Sequence, residues 1–191
     1  MMIGLHSVPF VAMMAIVVAT LVRGMAIRRA TGDRPWAFAS AKGVQRIAGS
    51  SFALSVAALL VAAALAPDNG TNWTILAAIV SLAGAAIVIA AQVQMGRAWR
   101  IGVRAGDAPL FVSHGLFRYS RNPIFVGMML VGLSAAIVSG TWWSWSALVL
   151  FALSCIVQVR IEEAHLEASF GDAYRAFSRQ VPRWLGLAHS V

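Results

Sequence analysis

Residues 73–93 read W-T-I-L-A-A-I-V-S-L-A-G-A-A-I-V-I-A-A-Q-V, a run without a charged side chain. A helix that spans a bilayer needs about 20 mostly apolar residues, so the run is long enough to cross. Only helices and closed barrels satisfy their backbone hydrogen bonds in lipid, and the run does not alternate between polar and apolar residues as a barrel strand does. It therefore predicts a transmembrane helix.

Apolar runs of similar character lie on both sides of this helix. The chain has 191 residues, of which 60% are hydrophobic and 12% are charged. We predict an all-α integral membrane protein that forms a single membrane domain with five transmembrane helices. The first run lacks a preceding basic region, so we expect it to be retained and not cleaved as a signal peptide. The predicted spans are residues 3–22, 47–66, 73–93, 124–138 and 142–159.

The basic residues predict the orientation of these helices. All fifteen lie in three segments, with six in residues 23–46, five in 97–121 and four in 160–183. Because cytoplasmic loops carry the excess of Lys and Arg, we expect the N-terminus outside and the C-terminus inside. The net charge of +8 is thus interpreted as a signal of topology, with attraction to anionic membrane lipids as a secondary effect, and not as a sign of nucleic-acid binding.

From Arg160 onward the chain becomes amphipathic, with apolar side chains three or four residues apart. This pattern predicts a cytoplasmic C-terminal helical segment, and Gly171 is expected to kink or end its first helix. The single cysteine, Cys155, lies in an apolar run, so we expect it to be a packing residue. Since the four histidines are scattered, we predict no metal site.

Two polar stretches stand out against this background. Residues 113–127 read S-H-G-L-F-R-Y-S-R-N-P-I-F-V-G, which is basic and aromatic and comes just before the fourth span. Glu162 and Glu163 are the only adjacent acidic pair, and they follow the fifth span. Carboxylates at the end of a span are costly unless they are paired or bind a ligand. We therefore expect the two stretches to meet at the cytoplasmic membrane surface and to bind a small cationic cofactor.

Longer segments around these stretches carry two motifs. Residues 110–127 read L-F-V-S-H-G-L-F-R-Y-S-R-N-P-I-F-V-G, and residues 162–183 read E-E-A-H-L-E-A-S-F-G-D-A-Y-R-A-F-S-R-Q-V-P-R. They resemble the motifs of the isoprenylcysteine carboxyl methyltransferase and phospholipid N-methyltransferase family of small membrane enzymes. The resemblance implies S-adenosylmethionine as the methyl donor and a lipid or hydrophobic small molecule as the acceptor. The first three spans are rich in small residues that favour close packing, so we expect residues 1–95 to form scaffold helices and residues 96–191 to carry the site.

The residues in the motifs suit the implied donor, which carries a sulfonium, an ammonium and a carboxylate. Glu162 or Glu163 can attract the cations, and Arg118 or Arg121 can donate to the carboxylate. Methyl transfer needs alignment more than acid or base catalysis, so Arg160 and Arg104 are predicted only to orient the acceptor. The predicted cofactor-binding residues are His114, Gly115, Phe117, Arg118, Arg121, Asn122, Pro123, Phe125, Gly127, Glu162, Glu163 and Tyr174.

Departures from the family pattern leave the acceptor open. The family has His where this chain has Asn122, and members that act on prenylcysteine have Arg where this chain has Gln158. An acceptor with a carboxylate is therefore in doubt. Two alternatives to a methyltransferase are an NADPH-dependent enzyme like the sterol reductases, which resemble this fold, and a non-catalytic membrane protein.

Overall fold

The computed structural model describes residues 4–32, 43–68, 70, 72–99 and 112–186. Within these residues the chain is helical, with short connections and three brief 3-10 turns. The six α-helices are α1 (Val8–Thr31), α2 (Gly43–Ala64), α3 (Asn72–Met95), α4 (Pro123–Ser139), α5 (Trp142–Phe170) and α6 (Asp172–Gln180).

Four of the helices have the length and composition of a membrane span. They are α1 with the turn before it, α2, α3 and α5. At 17 residues, α4 is apolar but shorter. At 1.5 Å per residue it extends about 25 Å, which is less than the hydrocarbon thickness of a typical bilayer. The all-helical prediction is confirmed for the described residues, whereas the count of five spans and their orientation stay predictions.

The bundle has two distinct ends. At one end, His6 Nδ1 lies 3.3 Å from Asp68 Oδ1, which joins the start of α1 to the α2–α3 connection. At the opposite end, the guanidinium of Arg23 donates to the carbonyl oxygen of Gly96 at 2.7 Å, which joins α1 to the end of α3. Both polar stretches of the sequence lie at the Arg23 end, since α4 starts there and α5 returns there.

Close packing of α3 against α4 fixes the start of α4. Gly84 and Gly127 face each other, and a Cβ added to either would lie 2.6 Å from the carbonyl oxygen of the other. Small residues let membrane helices approach this closely. The contact places the first turns of α4 directly against the middle of α3, and α3 and α4 form the most extensive helix pair in the bundle.

Several helix boundaries differ from those predicted. α1 continues past Arg23 to Thr31, with Arg28 and Arg29 in its last turn, where cations are favoured by the helix dipole. α3 ends at Met95, because Gly96 has a φ of +53° and starts a 3-10 turn. Arg97 lies in this 3-10 turn, and Arg100 and Arg104 lie outside the described residues.

α5 does not end at the predicted membrane boundary. It continues without a break from Trp142 to Phe170, so the pair Glu162–Glu163 extends the same rigid helix that crosses the apolar region. It ends where the sequence predicts, at Gly171, whose φ is +51°. The acidic pair is consequently held in position by the packing of the whole helix.

Candidate functional site

A cavity of about 230 Å³ opens at the Arg23 end of the bundle. All six of the described α-helices and the connection before α4 contribute to its wall, and most of the lining is apolar. Its polar groups are few and lie on facing sides. The lining residues are Ile16, Thr20, Phe52, Gln92, Met95, Trp99, Val112, Phe117, Arg121, Asn122, Pro123, Ile124, Phe125, Met128, Gln158, Glu162, Glu163, Leu166, Tyr174 and Phe177.

The connection before α4 is held against α3 by a side-chain hydrogen bond. The backbone N–H of Leu116 donates to Gln94 Oε1 at 2.8 Å. Gly115 has a φ of +61°, and a Cβ there would lie 2.4 Å from the same Gln94 oxygen. Only glycine fits this position without strain. The 3-10 turn Gly115–Arg118 that follows places Phe117 in the cavity wall.

Asn122 and Pro123 form the junction between this connection and α4. Pro123 occupies the first turn of α4, where its missing N–H costs no helical hydrogen bond. Asn122 occupies the N-cap position, but its side chain does not cap the helix. Its Nδ2 donates instead to the carbonyl oxygen of Arg183 at 3.0 Å. The backbone N–H of Arg121 likewise donates to Pro182 O at 3.0 Å, so the segment after α6 is bound to the connection before α4.

Glu163 is the centre of an ion-pair network at this junction. Its Oε1 lies 3.1 Å from Arg121 Nη1, and its Oε2 accepts from Arg183 Nη2 at 2.7 Å and from Nε at 3.0 Å. The Arg183 contact is bidentate, which is the strong geometry for a guanidinium and a carboxylate. The hydrogen bond to Glu163 raises the pKa of Arg183 above its ordinary value. Glu163 therefore joins α5, the connection before α4 and the C-terminal segment.

The neighbouring carboxylate, Glu162, has different surroundings. It lines the cavity, and its Oε1 accepts from Gln158 Nε2 at 3.2 Å. Within the described part of the chain no cation pairs with it. Gln158 is 4% exposed, and its Oε1 is buried with no hydrogen-bond partner among the described residues. The cavity thus contains one carboxylate free of ion pairs and one buried acceptor oxygen.

Arg121 has hydrogen-bonding capacity beyond its ion pair. Its side chain is 13% exposed and lines the cavity, and its Nε is buried without a partner in the described residues. Tyr174, from α6, packs beside it at 3% exposure. Burial, followed by the negative charge of Glu163, raises the pKa of the Tyr174 hydroxyl, while Arg121 opposes this shift. The Nε of Arg121 is therefore a donor beside the cavity wall that the described residues leave unused.

The structure brings eight of the predicted site residues into the cavity wall. These are Phe117, Arg121, Asn122, Pro123, Phe125, Glu162, Glu163 and Tyr174.

The other six lie elsewhere or are not described. His114 and Arg118 are exposed, and Gly115 packs on Gln94. Gly127 packs on α3 and not on the cavity. Arg160 is exposed on α5 outside the cavity wall, and Arg104 lies outside the described residues.

Sequence reasoning assigned no role to Arg183 or to the scaffold helices. Arg183 ends the second motif, and its position there was the available signal for its pairing with Glu163. Helices α1 to α3 were interpreted as scaffold, yet α1 and α3 contribute Thr20 and Gln92, joined by a 2.9 Å hydrogen bond, to the cavity wall. The signal that could have placed Thr20 and Gln92 at the site was their polar character within otherwise apolar helices. In the described residues, no three His, Cys, Asp or Glu side chains come together as a metal site.

Comparisons with known proteins agree with the motifs. The family model for phospholipid methyltransferases matches residues 72–173, which is more than half of the chain. The protein-S-isoprenylcysteine O-methyltransferase of Schizosaccharomyces pombe is 28% identical over 100 residues, covering 51% of this chain and 42% of that protein. An uncharacterized protein of Haemophilus influenzae is 32% identical over 63 residues, covering 32% of this chain and 100% of that protein. The match to the S. pombe protein spans less than half of that protein's length. The family model confirms the resemblance drawn from the motifs.

Proposed function

The chain belongs to the phospholipid methyltransferase family, and we propose that it is an integral membrane methyltransferase that uses S-adenosylmethionine. When bound, this donor supplies an activated methyl group on a positively charged sulfur. The task of the protein is then to bind the donor, to align the acceptor and to exclude water. The acceptor in this proposal is a lipid or another hydrophobic molecule.

One observation carries the proposal: among the described residues, the cavity wall holds a carboxylate without a cationic partner and a guanidinium Nε without a hydrogen-bond partner. Glu162 on α5 provides the carboxylate, and Arg121 in the connection before α4 provides Nε. A sulfonium amino acid needs an anionic partner for its positive charges and a hydrogen-bond donor for its carboxylate. The residues present fit both requirements.

The two glutamates have separate roles in this proposal. Glu163 is neutralised by Arg121 and Arg183, so it holds the connection before α4 and the C-terminal segment in place. Glu162 has no cationic partner among the described residues and is the residue proposed to attract the donor. Phe117, Phe125 and Tyr174 are proposed to contact the adenosine, and Asn122 and Pro123 to shape the pocket around it.

The remaining predicted residues contribute indirectly or stay predictions. Gly115 and Gly127 allow the close contacts that position the connection and α4. His114 and Arg118 are exposed beside the site, where they can interact with lipid head groups. The orientation of the acceptor by Arg160 or Arg104 stays a prediction.

We propose that the site lies on the cytoplasmic side of a plasma or inner membrane that the chain crosses several times. The support is the charge pattern, because described basic residues such as Arg23, Arg121 and Arg183 lie at one end of the bundle. This arrangement has five spans, an external N-terminus and an internal C-terminus. The acceptor then enters from the bilayer, and the donor enters from the cytoplasm.

Calorimetric binding of the purified protein tests the proposal. We expect S-adenosylmethionine to bind and NADPH not to bind; binding of NADPH alone would favour a reductase, and binding of neither would favour a non-catalytic protein. Glu162→Gln should weaken binding of the donor at least about tenfold, since a charged hydrogen-bonding partner contributes about 1.5–3 kcal/mol. The matched control is Glu167→Gln, which changes an exposed carboxylate on the same helix. Equal affinities of the two variants would refute the role of Glu162.

A further inference from the structure

Thr20 carries a hydroxyl inside the apolar helix α1, and its hydrogen bonding differs from that of other hydroxyls in the bundle. Ser134 and Ser154 donate to carbonyl oxygens of their own helices, at 2.9 and 2.8 Å. This is the usual way in which a hydroxyl is satisfied within a helix. Thr20 Oγ1 instead accepts from Gln92 Nε2 on α3 at 2.9 Å. Among the described residues its own O–H has no acceptor, so one donor at this position is unused.

The contact between Thr20 and Gln92 lies at the wall of the larger cavity, because both residues line it. Gln92 is 4% exposed, so its side chain is fixed between the helices, whereas Thr20 is only partly buried. Polar groups away from water are nearly always hydrogen-bonded. The hydrogen bond from Gln92 occupies a lone pair of Thr20 Oγ1 and leaves the O–H to a ligand. That ligand needs an atom that accepts a hydrogen bond.

The position of Thr20 indicates which ligand this is. The residues proposed to hold the methyl donor belong to the connection before α4, to α5 and to α6, whereas Thr20 and Gln92 belong to α1 and α3. A molecule bound at Thr20 would therefore share the cavity with the donor, as a methyl acceptor must. One helical turn earlier in α1, Ile16 lines both this cavity and an adjoining one of about 50 Å³, whose lining residues are all apolar. An oxygen at Thr20 and a hydrocarbon chain beyond Ile16 fit one extended molecule.

We propose that Thr20 binds the methyl acceptor by donating a hydrogen bond to an oxygen of that molecule, such as a carbonyl or ester oxygen, and that Gln92 is the positioning residue that orients the Thr20 hydroxyl. This inference deepens the proposed function and rests on it. The hydrocarbon of the acceptor then lies against Ile16 and extends into the adjoining apolar cavity. Thr20 precedes residues 72–173, which the family model matches, so this contact belongs to the first helix of this chain and not to the matched segment.

The same hydrogen bond also joins α1 to α3, as polar side chains do in other membrane bundles. A role limited to joining the helices predicts a loss of stability when the bond is removed and no change in which ligands bind. A role in binding the acceptor predicts a selective loss of affinity for ligands that have an accepting oxygen. The two roles are therefore separable by measurement.

Two compounds of equal chain length test the proposal. Methyl stearate has ester oxygens that accept hydrogen bonds, and icosane has the same length without them. Scintillation proximity measures the binding of each radiolabelled compound to the full chain in detergent, without a methyl donor. We expect methyl stearate to bind at least about fivefold more tightly than icosane, which corresponds to one neutral hydrogen bond. Equal binding of the two compounds, or binding of neither, would overturn the proposal.

Substitutions at two positions assign this preference for the ester. Thr20→Val keeps the shape of the side chain and removes the O–H, so the ratio of the two affinities should fall about fivefold. Thr20→Ser keeps the O–H and should retain the ratio. Gln92→Leu removes the group that orients Thr20 and frees the hydroxyl to donate to its own helix, so the ratio should fall as well. Ser134→Ala is the control, because Ser134 donates to Leu130 O and lines neither cavity.

The ratio of affinities also separates this inference from the proposed function. If Thr20→Val lowered the melting temperature but kept the ratio of the wild type, Thr20 would only join α1 to α3 and the inference would be wrong. Should Thr20→Val not fold, Gln92→Leu decides by the same ratio. A protein that binds S-adenosylmethionine but shows no preference for the ester would retain the methyltransferase proposal and lose this inference. A protein that shows the preference but binds no donor would lose the methyltransferase proposal.

Discussion

Replacing Glu163 by Gln should release the C-terminal segment from the site. Glu163 is 9% exposed and is the only carboxylate that Arg121 and Arg183 share in the described structure. Gln keeps the shape of the side chain but removes its charge. Two guanidinium groups would then lack an anion at a buried junction. The hydrogen bonds from the Arg121 backbone N–H to Pro182 O and from Asn122 Nδ2 to Arg183 O would remain.

The loss in the free energy of unfolding can be estimated from the burial of the two arginines. Removing one partner of a buried ion pair costs about 3–5 kcal/mol, because the other charge is left uncompensated. Arg121 is 13% exposed, but Arg183 is 40% exposed and can be rehydrated. We therefore expect a loss near the lower bound, about 3 kcal/mol. For a chain of this size, that loss lowers the melting temperature by about 6–12 °C.

Thermal unfolding in detergent measures the loss of stability, and hydrogen exchange of residues 181–186 measures the release of the C-terminal segment. Glu167→Gln is the matched control: this carboxylate lies one turn further along α5 and pairs with Arg175 at 3.4 Å, with both side chains about half exposed. Such surface pairs contribute about 0–1 kcal/mol. If Glu163→Gln were as mild as Glu167→Gln, or left exchange of the C-terminal segment unchanged, the reasoning about the network would be refuted.

Two further predictions concern the fold around the site. Gly127→Ala should destabilise the protein by about 2–3 kcal/mol in thermal unfolding, because the new Cβ would lie 2.6 Å from the Gly84 carbonyl oxygen. Gly132→Ala should cost less than about 1 kcal/mol, because its Cβ would meet only side-chain carbons, the nearest of them a methyl of Leu59 at 3.2 Å. Equal losses would contradict the close helix contact. The hydrogen bond from Arg175 lowers the pKa of the Asp172 carboxyl in the folded state. The pair therefore stabilises the folded state at pH values above the unfolded pKa of about 3.9, and this contribution is lost as the pH falls through the lower pKa of the folded state. Melting temperatures across pH should therefore differ between wild type and Asp172→Asn near neutrality and converge in acid; a constant difference would contradict the pairing.

Much of the fold could be predicted from hydropathy, since long uncharged runs have no alternative to helices in lipid. A turn residue marked one boundary correctly, namely Gly171 after α5. The ends of α1 and α5 were predicted too early, because the change from apolar to charged residues marks the membrane surface and not the end of a helix. A helix continues through such a boundary where its backbone hydrogen bonds remain favourable in water.

The sequence by itself determined that the described chain is helical and apolar, that it belongs to a methyltransferase family, and which two motifs contain most of the polar groups of the cavity. These properties depend on composition, on uninterrupted runs and on local spacing. Only the tertiary structure decided that Glu163 is neutralised by Arg121 and Arg183 while Glu162 faces the cavity. Adjacent residues on a helix point about 100° apart, so two identical carboxylates side by side in sequence meet different partners, and those partners come from distant parts of the chain.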